Sequence, residues 1–170
     1  MYHIKKDARS QKSAEIIYQA LRNILWKKSL NEVNITDIHK ECGVSRMTFY
    51  RLFDNVVDVL SWKLSICIEH YNEFKKDKKD KLLFFFEYWQ KHIYLISLLS
   101  ANNKFVLSNL IARDRDLNNT YEAYLIEVKT NIMATLLSQW AKRGGKETAV
   151  EMKNIALKIF SENILILTNI

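Results

Sequence analysis

The apolar positions of the chain recur mostly at helical spacing. Across residues 10–28, Ile16, Ile17, Ala20, Leu21, Ile24 and Leu25 form one stripe, with Arg22, Lys27 and Lys28 outside it. That pattern predicts an amphipathic helix. Ser29 to Glu32 breaks it. Three capping signatures follow: Asn34 with Asp37 three residues on, Ser45 before "RMT", and Asn55 with Asp58 three residues on. A short polar side chain at each start satisfies an orphan backbone N–H, and an acid in the first turn meets the positive helix end. These caps predict helices at about 35–42, 45–53 and 56–74.

The stretch "KKDKKDK" at 75–81 reads as a solvated connection between helices. A densely apolar segment at 82–100 carries Leu82, Phe85, Phe86, Trp89, Ile93, Ile96 and Leu99, and is read as one core helix. Beyond Asn102-Asn103, a shorter helix is expected at about 104–112, then the polar run "RDRDLNN" and a long helix at about 118–142. Gly144-Gly145 ends it, and a last helix runs from about 147 to the end with Ile155, Ile159, Phe160 and Ile164 on one side.

Composition agrees with an all-α chain. There are three Gly and no Pro in 170 residues, too few turn formers for an all-β fold. The net charge of +7 is unevenly spread: residues 1–53 hold ten Lys/Arg against five Asp/Glu, and the rest hold sixteen against fourteen. A basic first third suits an anionic partner such as nucleic acid. Cys42 and Cys67 make neither a C-x-x-C pair nor a disulfide framework. The first residues carry no apolar signal region and no run is long enough for a membrane span, so a cytoplasmic protein without membrane contact is expected.

Two short helices joined through Gly43-Val44, with an earlier helix to brace them, describe a helix-turn-helix. Its second helix would enter a major groove by its N-terminus. Arg46 can then donate to a guanine edge or a phosphate, and Thr48 offers a hydroxyl and a methyl. Met47 offers apolar contact, Tyr50 can donate to a phosphate oxygen and Arg51 adds charge. With Thr36 and Ser45, these complete the candidate DNA-contacting set. Cys42, Val44, Phe49, Leu52 and Phe53 are expected to pack inside the module.

From about Ser13 through Leu60 the sequence resembles the tetracycline-repressor-like (TetR/AcrR) transcriptional regulators. The likeness rests on the Ile16-Ile17 and Ala20-Leu21 core and on "ITDIHKECGVSRMTFYRLFDNVVDVL". Gly43, Val44, Ser45, Thr48, Phe49, Tyr50 and Phe53 fall on the family's "GVS..T.Y..F" positions. The chain departs from the pattern at Ser29, where the family usually has Gly, at His39, where Ala is common, and at Val56, where a phosphate-binding Lys is usual.

The resemblance implies an N-terminal three-helix DNA-binding domain over 1–55 and a helical ligand-binding and dimerisation domain over 56–170, linked by the helix at 56–74. It implies a regulator, expected to be a repressor, that binds double-stranded DNA at a palindromic operator as a homodimer. A small-molecule effector would change the spacing of the two recognition helices through helix 56–74. Leu125, Ile132, Leu136, Leu137, Ile155, Ile159 and Ile166 supply apolar material for a four-helix dimer interface. The effector pocket is expected among Phe85, Tyr88, Trp89, His92, Phe105 and Tyr121, although any one of these can equally fill core.

Other readings carry less. His39 with Cys42, and Cys67 with His70, have the spacing of zinc ligands, but Cys67 lies roughly 17 Å along its helix at 1.5 Å per residue. No metal or other cofactor is expected. No G-x-S-x-G, P-loop, H-E-x-x-H or G-x-G-x-x-G is present, so the chain is not expected to be an enzyme. The rival class is a helical ligand- or protein-binding sensor that has lost or altered DNA binding, as Val56 would suit.

Overall fold

In the computed structural model, residues 1–5, 7–101 and 120–166 are described, Ala101 and 162–166 by backbone alone. The helix expected at 104–112, the "RDRDLNN" run and Phe105 lie outside the described residues, as do the side chains of Ile164 and Ile166. Among the described residues the chain is all-α, with eight α-helices. None of them is long and apolar enough to cross a membrane. Packing divides the chain into two compact units, Met1–Cys67 and Ile68–Ile170.

Unit 1 begins with helix α1, Ala8–Ile24, capped by Asp7. Ala14, Ile17, Ala20, Leu21 and Ile24 are its buried face. Ile16, placed on that stripe from the sequence, is 39% exposed and sits at its edge. The break after α1 is a 3-10 turn at Leu30–Glu32 closed by a Ser29/Glu32 capping box. Helices α2, Ile35–Cys42, and α3, Arg46–Leu52, follow. Helix α4, Val56–Phe74, starts at a reciprocal Asn55/Asp58 box in which each side chain accepts the other's backbone N–H at 3.1 Å. Phe49, Leu52 and Phe53 are at most 1% exposed. Phe53 meets Trp62 of α4 edge-on, ring centroids 6.1 Å apart. The first part of α4 therefore completes the core of unit 1, and the division between units falls inside this helix.

The extreme N-terminus, which the hydrophobic pattern leaves blank, is tied to the end of α3. Tyr2 and Phe53 form an isolated antiparallel bridge. The N–H of His3 donates to the Leu52 carbonyl at 2.8 Å, and His3 Nε2 lies 2.8 Å from Asp54. The Met1 amine and His3 hold the Asp54 carboxyl below the usual carboxylate range.

In unit 2, the apolar segment expected as one helix is two: α5, Lys81–Gln90, and α6, Ile93–Ala101, separated by a turn at Lys91-His92. Two long helices follow, α7, Thr120–Lys142, and α8, Ala149–Ile166. The break has a tertiary cause. Helix α5 packs chiefly on α8, and α6 chiefly on α7, so the two halves have different main partners. Phe86 of α5 meets Trp140 of α7 edge-on at 5.9 Å, and Trp140 Nε1 donates to the Glu147 carbonyl at 3.1 Å. Gly145 follows with φ +65°, and a Cβ placed there would stand 3.2 Å from Ile93 Cγ1. Leu137, assigned from the sequence to a dimer interface, is fully buried in this unit's own core.

Candidate functional site

The turn between α2 and α3 has Gly43 in the left-handed region, φ 72° and ψ −1°. No atom stands within 4 Å of where its Cβ would be, so only the backbone conformation calls for glycine. Its N–H donates to the His39 carbonyl at 2.8 Å. His39 Nδ1 lies 2.9 Å from the Val44 carbonyl oxygen; a carbonyl only accepts, so Nδ1 is the protonated nitrogen. His39 thus braces the turn from both sides of the glycine while its ring stays exposed. Cys42 and Val44, expected in the core, are only half-buried, and the Cys42 thiol donates to the Ile38 carbonyl at 3.1 Å. Among the described residues no group of His, Cys, Asp and Glu side chains comes together as a metal site.

Asn34 opens α2 with a capping box: its side chain accepts the Asp37 N–H at 3.0 Å, and Asp37 accepts the Asn34 N–H at 3.1 Å. The Asn34 N–H and the Lys28 ammonium keep the Asp37 carboxyl below its ordinary range. Ser45 opens α3, its Oγ accepting the Thr48 N–H at 3.1 Å and donating to Thr48 Oγ1 at 3.0 Å. Thr48 is therefore half-buried in the cap, with one hydroxyl proton left to donate. Arg46, Met47, Tyr50 and Arg51 are exposed, Met47 at 81%.

The sequence treated Thr36 and Arg46 as separate contacts; the structure joins them. Arg46 Nη2 donates to Thr36 Oγ1 at 2.6 Å, linking the first turns of α2 and α3. Both residues line an open groove of about 430 Å³ with Asn34, Tyr50, Asn55 and Val56. One nitrogen of Arg46 is engaged, and a guanidinium has further N–H donors to offer. Arg46, Tyr50 and the Thr36 hydroxyl bring to this space hydrogen-bond donors of the kind that meet a phosphate oxygen, and the Asp54 carboxylate lines it too. The Val56 side chain contributes no donor from its half-buried position at the start of α4.

Unit 2 holds a second concavity, of about 160 Å³. Its walls include Phe85 and Trp89 of α5, two of the residues expected in a pocket. The rest were not singled out from the sequence: Ile68, Tyr71 and Asn72 of α4, Lys75 just after it, and Lys129, Thr130 and Met133 of α7. Tyr71 is the hub of the aromatic cluster, stacked on Phe84 at 5.7 Å and edge-on to Phe85 at the same distance. Burial pushes its hydroxyl up to about 12. Tyr88 and His92, also expected in the pocket, lie against each other at 4.9 Å and do not line this space. Tyr121 is 72% exposed.

A helix-turn-helix unit joined to a larger helical unit defines the chain as an all-α helix-turn-helix protein. Comparison with known proteins agrees with this class. No family model matches the sequence. A relative named the HTH-type dhaKLM operon transcriptional activator DhaS, from Lactococcus lactis subsp. lactis (strain IL1403), is 23% identical over 119 residues, 70% of this chain. The match spans 58% of that protein's length. A solved structure titled dihydroxyacetone kinase operon activator DhaS superposes with a TM-score of 0.56 at 17% identity, over 91% of this chain and 97% of that one. The second likeness establishes the fold.

Proposed function

We propose that this chain is a DNA-binding transcriptional regulator of the TetR/AcrR-like kind. The observation that carries the reading is the α2–Gly43–α3 elbow with Arg46, Met47, Tyr50 and Arg51 exposed on its second helix. The names of the similar proteins support it, and both are activators. That favours activation over the repression the family resemblance implied, and it favours a non-enzymatic role.

The finer parts of the reading rest on separate supports. Exposed Tyr124, Val128, Ile155 and Leu157 on α7 and α8 favour a homodimer, which would present two recognition helices to a palindromic operator. The 160 Å³ pocket of unit 2 favours a small effector, and α4 belongs to both units. For an effector to act, it must bind two states of the protein with different affinity. The absence of a side-chain donor at Val56 favours the rival, a sensor that no longer uses its helix-turn-helix on DNA.

Binding-site selection from random duplex DNA, followed by a salt series, separates the two. A regulator yields an enriched site whose log K falls with log salt at about 0.9 per phosphate contact. Arg46→Ala and Tyr50→Phe should each weaken all duplexes, and Arg46→Ala should lower the salt slope by about 1. Relaxed preference at one base pair after Arg46→Ala would move Arg46 from phosphate to base contact. No enriched duplex from any pool would leave the sensor reading.

A further inference from the structure

Asp54 is an unexpected neighbour for a groove that would hold a phosphate. Its carboxylate lines the same space of about 430 Å³ as Arg46, Tyr50 and Thr36, and its side chain is 52% exposed. A bare carboxylate there would repel the phosphate that the donors attract. Nor does Asp54 hold α4, because the acid of that helix's capping box is Asp58. What engages the Asp54 carboxylate is the N-terminal arm. The Met1 amine donates to Oδ2 at 2.8 Å, and His3 Nε2 lies 2.8 Å from Oδ1. An ionised carboxylate only accepts, so Nε2 carries a proton there and both oxygens are taken.

The backbone of the arm fixes this arrangement. The His3 N–H donates to the Leu52 carbonyl at 2.8 Å, and the Asp54 N–H donates to the Met1 carbonyl at 3.1 Å. Tyr2 pairs with Phe53 between them. The arm therefore runs antiparallel to the end of α3, in a register that sets His3 and the Met1 amine on Asp54. The same contacts hold the Asp54 carboxyl below its ordinary range, so its charge is balanced by the arm and not lost to a proton. The cluster is at the surface, where solvent and salt screen it, so its effect on a neighbouring anion is modest in size.

We infer that the N-terminal arm, Met1–His3, belongs to the DNA-binding surface: it offsets the Asp54 carboxylate and so lets the groove lined by α2, α3 and the start of α4 accept a backbone phosphate. His3 acts through Asp54 and not by touching the duplex. The arm does not replace the donor missing from the Val56 side chain; it removes a repulsion beside it. This role rests on the regulator reading above, since a groove that meets no DNA needs no such balance.

The test is a double-mutant cycle on the full chain, read by fluorescence anisotropy with a labelled random-sequence duplex at low salt, which reports phosphate contacts whatever the operator. His3→Ala should weaken binding about threefold to tenfold, the scale of one exposed carboxylate repelling one phosphate. Asp54→Asn alone should leave affinity within about twofold of the unsubstituted chain, and added to His3→Ala it should restore binding to that level. His3→Lys keeps a cation beside Asp54 and should also stay within about twofold. The His3→Ala deficit should close as salt is raised. A His3→Ala loss of the same size with and without Asp54→Asn would overturn the inference, because His3 would then touch DNA itself or merely hold the fold. A His3→Lys variant as weak as His3→Ala would overturn it too. Urea midpoints follow folding; if His3→Ala lowers the midpoint, Asp54→Asn still decides, since tightening of about threefold or more with His3 in place would mean that the arm leaves the charge uncompensated. No duplex binding by the unsubstituted chain removes the regulator reading and the arm's role with it. Duplex binding with additive substitutions keeps the regulator and removes only the arm's role.

Discussion

The two units are built by different kinds of information. In unit 1 each short helix announces itself within four residues: Asn34, Ser45 and Asn55 cap α2, α3 and α4, and Gly43 turns the chain between two of them. In unit 2 an apolar run with no proline or glycine breaks at Lys91-His92, because α5 and α6 take different packing partners. Local side-chain-to-backbone bonds define the first unit. Competition between long apolar faces defines the second. A helix-turn-helix elbow needs fixed local geometry, while a pocket needs only faces that meet.

That contrast can be attacked first at the two cores. Trp140→Ala in unit 2 and Phe49→Ala in unit 1 should each cost about 3–5 kcal/mol in urea unfolding. Trp140→Ala should sit at the upper end, since it also removes the shorter of two hydrogen bonds to the Glu147 carbonyl. Hydrogen exchange should place the first loss in α5–α8 and the second in α1–α3. Equal loss of protection across both units in either variant would break the comparison.

The glycines sharpen it at a smaller scale. Gly43→Ala should cost about 1–2 kcal/mol, the price of left-handed backbone alone. Gly145→Ala should cost more, because its Cβ also meets Ile93 at 3.2 Å. Urea midpoints of the two variants decide it, and equal costs would mean that Ile93 gives way freely. The smallest effect expected is alkaline. The folded-state pKa of Tyr71 is raised to about 12 from an ordinary 10.0, so its contribution is intact below pH 10 and is lost as pH rises toward 12. Burial likewise raises the Cys67 thiol from 9.0, with the same sign beginning near pH 9. Tyr71→Phe should flatten the stability profile between pH 10 and 12 in unit 2 while leaving the Cys67 contribution in place. A profile unchanged by the substitution would show that the Tyr71 hydroxyl ionises as readily in the fold as in the unfolded chain.

Legibility follows the same line. The α2 boundaries, the Ser45 cap, the left-handed Gly43 and the burial of Phe49, Leu52 and Phe53 were readable because each depends on neighbours a few residues away. The Arg46–Thr36 bond was not, since it spans ten residues and depends on how α2 crosses α3. Nor was the brace from His39 to Val44, which needs the turn before it can form. In the pocket, Phe85 and Trp89 were visible as aromatics on one helix, whereas Tyr71, Lys75 and Lys129 reach it from positions far along the chain.

The sequence by itself determined that the chain is all-α, where α2, α3 and α4 begin and that α2 and α3 are joined by a turn at a glycine, because caps, helical periodicity and positive φ are local properties of the backbone. Only the tertiary structure decided where the apolar segment at 82–100 breaks, which donors of the elbow surround one groove and which cations stand beside the aromatic pocket. Those outcomes depend on faces distant in sequence burying one another, and no single stretch of the chain records which pair will win.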